Sequence, residues 1–232
     1  MSLQIIMTDD GSHSIASGGK VTYHSTFGAL QESRHIFIGA GLLPVLSRGA
    51  GPIAIYEMGF GTGLNALLTL MEAEGSGRAI SYETVEMVPL GMEIVRQLNY
   101  CERLGRPGLQ PRFERLHAAP WGQEVEIVPG FTLLKVRENG AVHRLRRLAD
   151  IVYYDAFDPA TQPELWEEDV FWRLIDRLAP GAVLVTYCCK AVVRRAMEVA
   201  GFIVEKLPGP SGKREILRAT KKNSLFPHPF RP

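Results

Sequence analysis

Three cysteines in 232 residues are too few for a disulfide framework. None has zinc spacing, since Cys188 and Cys189 are adjacent and Cys101 stands apart. Charge of one sign is also missing: 26 Lys and Arg against 25 Asp and Glu leave a formal net charge of +1. A chain that coats nucleic acid through bulk charge is far more basic, so any nucleic acid must meet a local patch. No uncharged apolar run approaches the roughly 18 residues of a membrane span. Met1 to Met7 lacks the basic-then-apolar order of a secretory signal, and no repeat or low-complexity tract occurs. These absences exclude a disulfide-stapled secreted scaffold, a membrane-spanning protein and a solenoid. A reduced, cytoplasmic setting is expected. What remains is ordinary globular material, 46% apolar and 22% charged, of a length that suits one large domain or two small ones.

The pattern changes near residue 50. Residues 1–50 begin polar and Gly/Ser-rich and continue as a mixed segment, Val21 to Leu46. From Ile53 on, short apolar runs alternate with helical periodicity. Ile53 to Met58 is a nearly continuous apolar run, as in a strand buried on both faces. Leu64 to Glu74 places Leu64, Leu67, Leu68 and Met71 on one helical face, and Gly75-Ser76-Gly77 stops it. Ala79 to Glu86 reads as the next strand, and Pro89 as the first turn of a helix running to about Asn99. Residues 100–148 show only the apolar run Phe131 to Val136 and an Asn139-Gly140 turn. The rhythm then returns. Ile151 to Tyr154 is a strand, Pro163 to Leu178 a helix stopped at Pro180-Gly181, Ala182 to Tyr187 a strand and Ala191 to Ala200 a helix. Phe202 to Leu207 and Glu215 to Ala219 follow as two strands with no helix between them. Strand–helix alternation predicts a mainly parallel sheet, and the helix-free pair predicts one inserted antiparallel strand. The expected division is an extension at 1–50, a core at 51–220 and a tail at 221–232.

The strongest chemical signal is Glu57-Met58-Gly59-Phe60-Gly61-Thr62-Gly63-Leu64-Asn65. Alternate glycines let a strand turn sharply into a helix and bring bare backbone to a ligand. The dinucleotide fingerprint G-x-G-x-x-G needs a third glycine where Leu64 stands, which argues against a nicotinamide-dependent domain. Acidic Glu57 would repel a pyrophosphate and favour a cation, which suits the ammonium and sulfonium of S-adenosylmethionine. About 20 residues on, at the end of the next strand, Glu83 and Glu86 compete for a ribose, one carboxylate matching two hydroxyls. Glu86, nearer the strand end, is preferred. Asp155-Ala156-Phe157-Asp158-Pro159 closes a buried strand. There Asp155 can hold an acceptor nitrogen by hydrogen bond, Phe157 can stack on a flat group, and Asp158 before Pro159 fits a helix cap. Trp166 and Trp172 suit a core. Arg144, Arg146 and Arg147, and the pair Lys213-Arg214, are candidate phosphate contacts. His24, His35, His117, His143 and His228 share no metal spacing, so no metal is expected.

Glu57 to Asn65, Asp155 to Pro163 with Leu165-Trp166, and Lys213 to Leu217 together resemble the methyltransferase domain of the MnmC-type tRNA-modification enzymes. Tyr23 to Gly28, Gln31 to Arg34 and Phe37 are similar to that domain's N-terminal signature. The resemblance spans about residues 8–220. It implies a Rossmann-like class I fold, with a mainly parallel seven-stranded sheet and one antiparallel strand. It implies methyl transfer from S-adenosylmethionine to the exocyclic amine of 5-aminomethyl-(2-thio)uridine at the tRNA wobble position. Glu57, Gly59, Phe60, Gly61, Gly63 and Asn65 would then surround the cofactor's methionine end, and Glu86 its ribose. Asp155 would touch cofactor and amine, Phe157 and Trp166 would lie near the acceptor, and Lys213 and Arg214 would reach a tRNA phosphate. An acidic or polar group is expected near the adenine, with Glu138 or Asn139 as candidates. The sequence ends at Pro232 without room for the flavin oxidase domain of bifunctional members, so no flavin is expected. The tRNA anticodon loop is the expected partner, with no membrane and no obligate protein partner. A methyltransferase of the same fold acting on a small-molecule or protein amine is the alternative.

Overall fold

The structure, a computed structural model, describes residues 3–19 and 21–222. Of the expected tail, residues 223–232, His228 among them, lie outside the described residues. The N-terminal segment forms a small antiparallel sheet from β1 (Leu3–Met7), β2 (His13–Ser17) and β3 (Val21–Thr22). A helix follows. Its first turn, α1 (Ala29–Ser33), and last turn, α2 (Leu43–Leu46), flank a nine-residue π-helical stretch, Arg34–Leu42. Alternation then begins with β4 (Ile53–Met58), α3 (Leu64–Ser76), β5 (Ile80–Val85), α4 (Met92–Val95), α5 (Tyr100–Arg103) and α6 (Gln110–Ala118). Next come β6 (Glu124–Val128), β7 (Phe131–Val136), β8 (Ala149–Tyr154), α7 (Glu168–Ile175), β9 (Leu178–Thr186), α8 (Ala191–Val199), β10 (Phe202–Pro208) and β11 (Glu215–Lys221).

The last eight strands make one sheet, ordered β10-β11-β9-β8-β4-β5-β7-β6. The strands β7, β5, β4, β8 and β9 are parallel, and β11 runs antiparallel between β9 and β10, as the helix-free pair predicts. An eighth strand, β6, pairs antiparallel with β7 at the opposite edge. It lies in the stretch that the sequence pattern left unread.

Alternation along each strand feeds two apolar layers. Ile53, Ile55, Ile151 and Tyr153 pack beneath the Ala29–Leu46 helix, α3 and α6, whereas Tyr56, Met58, Val152 and Tyr154 pack against α7 and α8. Burial on both faces is why these strands read as unbroken apolar runs. Two expected helices are shorter than their sequence suggests. Of Pro89 to Asn99, only Met92–Val95 is α-helical, because Gly91 stays extended at φ −70° and ψ 148°. Of Pro163 to Leu178, the first turn is a separate 3-10 turn, Pro163–Leu165, and α7 ends at Ile175. Pro180-Gly181 is not the helix stop. It sits in a bulge of β9: Ala149 pairs with Leu178 but Ile151 already pairs with Val183, and Gly181 takes φ 74°.

The chain leaves β4 toward β5 on one side and reaches β8 on the other. The crevice at this switch point, outside the carboxyl ends of the strands, is where open α/β sheets place ligands.

Candidate active site

At the end of β4, Gly59, Gly61 and Gly63 carry the turn into α3 with φ of 92°, 49° and 71°. These values are strained for any residue with a side chain. A β-carbon on Gly59 would also come within 2.8 Å of the Asp155 carbonyl oxygen. Two histidines grip the turn at Thr62. His24 Nε2 lies 2.6 Å from Thr62 Oγ1, and His117 Nε2 donates to the Thr62 carbonyl at 3.0 Å. Burial pushes both imidazoles down to about 4, so both are neutral near pH 7. Behind the turn, Lys135 is 1% exposed. Its ammonium donates to the His117 carbonyl and lies 4.6 Å and 5.3 Å from the ring centres of Trp121 and Phe60. Burial lowers it to about 8.

The carboxylates meet at one amide. Asn65 Nδ2 donates to Glu57 Oε1 at 3.1 Å and to Asp155 Oδ2 at 2.9 Å. Glu57 Oε2 and Asn65 Oδ1 are buried without a partner. Burial first, then repulsion from Asp155, raises Glu57 well above the usual carboxylate range against the pull of the Asn65 amide. Burial, together with the charge of Glu32, pushes Asp155 up to about 8 against the pull of Asn65 and Lys213. At the end of β5, Glu86 Oε2 accepts from the Gly61 amide at 3.0 Å and Oε1 from that of Val88 at 2.9 Å, while burial raises its pKa. Glu83 turns elsewhere: it accepts from Arg146 N and lies 2.7 Å from His143 Nε2.

Of the residues singled out from the sequence, Gly59, Phe60, Gly61, Asn65, Glu86, Asp155 and Phe157 line one cavity, together with Glu138 and Asn139. Glu57 and Gly63 lie behind it. Glu57 is fully buried beneath Asn65, and Gly63 caps α3 under His117. A second cavity adjoins the first and is lined by Glu32, Asp158, Tyr187 and Lys213. Tyr23, His24, Asp155, Ala156 and Phe157 line both. Tyr23 meets Phe157 edge-on at 5.1 Å between ring centres. The Lys213 ammonium stands 4.7 Å from the Tyr187 ring centre and 3.5 Å from Glu32 Oε1.

The other candidates, Asp158 of the second cavity apart, fall outside both cavities. Trp166 is buried against Tyr154 and Tyr187, and its Nε1 donates to the Phe157 carbonyl at 2.8 Å. It braces Phe157 instead of facing a ligand. The Arg214 side chain is exposed, and its carbonyl closes the loop by accepting from Gly209. Arg146 and Arg147 tie β5 and β6 together through Gly122, Ser81 and Glu124. Asp158 caps a tight turn at Ala160, not a helix. Composition and spacing gave no sign of Glu32 or Tyr187. Glu32 appeared only inside the N-terminal signature, and Tyr187 only as a strand end.

A family model described as S-adenosyl-L-methionine-dependent methyltransferase matches residues 122–222. The "tRNA 5-methylaminomethyl-2-thiouridine biosynthesis bifunctional protein MnmC" of Aromatoleum aromaticum is 34% identical over 95% of this chain and 36% of its own length. The protein of that name from Cupriavidus necator is 32% identical over 85% of this chain and 31% of its own. The chain thus spans about a third of the length of these relatives. Its fold is like that of MnmC2 from Aquifex aeolicus, with a TM-score of 0.78 at 23% identity, covering 98% of this chain and 73% of that one. It is also like spermidine synthase from Thermotoga maritima, with a TM-score of 0.63 at 18% identity, covering 96% and 70%. The family match places residues 122–222 among the S-adenosyl-L-methionine-dependent methyltransferases, and the Rossmann-like sheet and the similarity to the MnmC relatives along nearly the whole sequence agree with it.

Proposed function

We propose that this protein methylates the amine of 5-aminomethyl-(2-thio)uridine at the wobble position of tRNA, with S-adenosylmethionine as donor. One observation carries the reading: Asp155 lines both cavities, so a donor in one and an amine in the other meet at its carboxyl group. The names of the MnmC relatives support the nucleoside as acceptor. The anticodon loop, in the cytoplasm, is the partner that this reading requires.

The residues fit the donor. Glu86 stands at the end of β5 with backbone donors on both oxygens and has lone pairs left for two ribose hydroxyls. Glu138 and Asn139 line the same cleft where an adenine edge would lie. The partnerless Asn65 Oδ1 is an acceptor for an ammonium, and Glu57 lends negative charge through the Asn65 amide. Bound there, S-adenosylmethionine supplies an electrophilic methyl group on a cationic sulfur. The chain's part is alignment and proton handling. Phe157 and Tyr23 form an aromatic wall for a flat base, with Trp166 fixing Phe157. Asp155 holds the amine with its lone pair directed at the donor. A carboxyl group poised near pH 8 also accepts the ammonium proton more readily than one at the ordinary value. Among the described residues no cluster of three or more His, Cys, Asp or Glu is arranged to hold a metal ion, and alignment chemistry needs none.

The test is nucleoside mass spectrometry of tRNA carrying 5-aminomethyl-2-thiouridine after incubation with the protein and methyl-labelled donor. Label in 5-methylaminomethyl-2-thiouridine is the expected result. Unlabelled tRNA alongside a labelled small amine would overturn the acceptor and leave the donor standing.

A further inference from the structure

Beside the acceptor cavity runs a wide open groove. It encloses about 1040 Å³, at the upper end of the roughly 300–1,000 Å³ of small-molecule pockets. Arg34, His35, Arg103 and Arg218 line it. Arg34 and Arg103 have no ion-pair partner among the described residues, and Arg218 pairs with Glu205 at 2.7 Å. The acid in the lining, Asp10, has both oxygens engaged by Ser12 and Gln31. In a molecule of net charge +1 this is a local concentration of cations. The wall between groove and acceptor cavity is a single loop. Pro208 to Ser211 face the groove, and Lys213 faces the cavity. His35 Nε2 pins the loop by donating to the Pro208 carbonyl at 2.8 Å. Against Gly212, in the same loop, lies the ring of Phe27, which is 47% exposed.

We propose that this groove is the track of the RNA backbone: phosphates on Arg34, Arg103 and Arg218, one unpaired base stacked on Phe27, and the next nucleoside delivered over the loop into the cavity of Asp155. The inference rests on the proposed RNA acceptor and adds the surface that holds it. Its chemistry is the usual pairing for single-stranded RNA, a cationic strip for the backbone and an aromatic ring for a base. It also reassigns the cations. Lys213, drawn inward by Glu32 and Tyr187, serves the acceptor cavity, and the arginines beyond the loop serve the phosphates.

The test measures binding of a fluorescent anticodon stem-loop RNA across a salt series. Arg34→Ala with Arg103→Ala is expected to weaken binding at 0.1 M salt about tenfold or more and to flatten the log–log salt slope by roughly 1.4 to 1.8. Phe27→Ala is expected to cost about five- to a hundredfold with the slope unchanged. Affinity for S-adenosylhomocysteine and the melting temperature, measured on the same samples, show that the variants fold. Arg34→Ala alone, which removes an exposed side chain, repeats the test if the double variant is unstable. Arg194→Ala with Arg195→Ala on α8 is the charge-matched control. Equal losses in control and groove variants, or no loss in the groove variants, overturn the track while the RNA reading survives. Failure of the wild-type protein to bind the RNA at all overturns the acceptor reading and this inference with it.

Discussion

Asp155 and Glu57 share the Asn65 amide, and both carboxyl groups are pushed toward the neutral form by burial. Two buried carboxylates this close cannot both ionise without a cation. Arrival of a sulfonium and an ammonium supplies one, so binding should expel a proton from the pair. Isothermal calorimetry at pH 7 in buffers of different ionisation enthalpy reads this directly. S-adenosylmethionine should release up to about one proton, and S-adenosylhomocysteine, which lacks the sulfonium charge, should release less. In Asp155→Asn most of the difference between the two ligands should vanish. The same variant should lower kcat by roughly ten- to a thousandfold if alignment is its role, with cofactor affinity largely retained. A collapse of that affinity instead would move Asp155 wholly into the cofactor site.

The Ala29–Leu46 helix has one demand that can be probed alone. Gly41, in the π-helical stretch, lies against β8 and β9: a β-carbon there would sit 2.9 Å from Val185 Cγ2 and 3.4 Å from Tyr153 Cε1. Gly41→Ala is therefore an overpacking change, expected to destabilise by about 1–3 kcal/mol and to lower the melting temperature by roughly 2–10 °C. An unchanged melting curve would mean that the helix shifts freely on the sheet. This same element shows where sequence reading stops. β4, β5 and β8 were legible because burial on both faces writes a continuous apolar run, and the Gly59–Gly63 turn because alternate glycines are rare without a turn to make. A helix bonded i to i+5 does not repeat every 3.6 residues, so Arg34–Leu42 left no periodicity to read. The edge strand β6 is Glu-Val-Glu-Ile-Val and half exposed, and α4 and α5 are single turns. The site divides in the same way. Strand-end acids such as Glu86 and Asp155 are visible from position alone. Glu32 and Tyr187 join the site only through packing of distant segments, and Trp166 beside Phe157 reads the same whether it faces a ligand or props the residue that does.

At the scale of the molecule, the glycine turn is held by two distant segments of the chain that meet at Thr62: His24 from the N-terminal segment and His117 from α6. Burial disfavours the charged form of both rings and keeps the folded pKa of each at about 4, below the roughly 6.5 of an unfolded chain. Between those values the unfolded state binds more protons. The stabilisation is therefore complete above about pH 6.5 and is lost as the pH falls toward 4, at about 3 kcal/mol for each histidine. Asp155, Glu57 and Glu86 have raised pKa values and slope the other way, so the wild-type stability curve alone is a blend. Comparison with His24→Gln isolates one contribution, because glutamine keeps an amide beside Thr62 Oγ1 but cannot titrate. Between pH 6.5 and 4.5 the melting temperature of wild type should fall more steeply than that of the variant, and its affinity for S-adenosylhomocysteine should fall with it as the turn loosens. Parallel melting curves would mean that His24 is not held neutral by the fold, and that the N-terminal segment does not help to form the cofactor cleft through this contact.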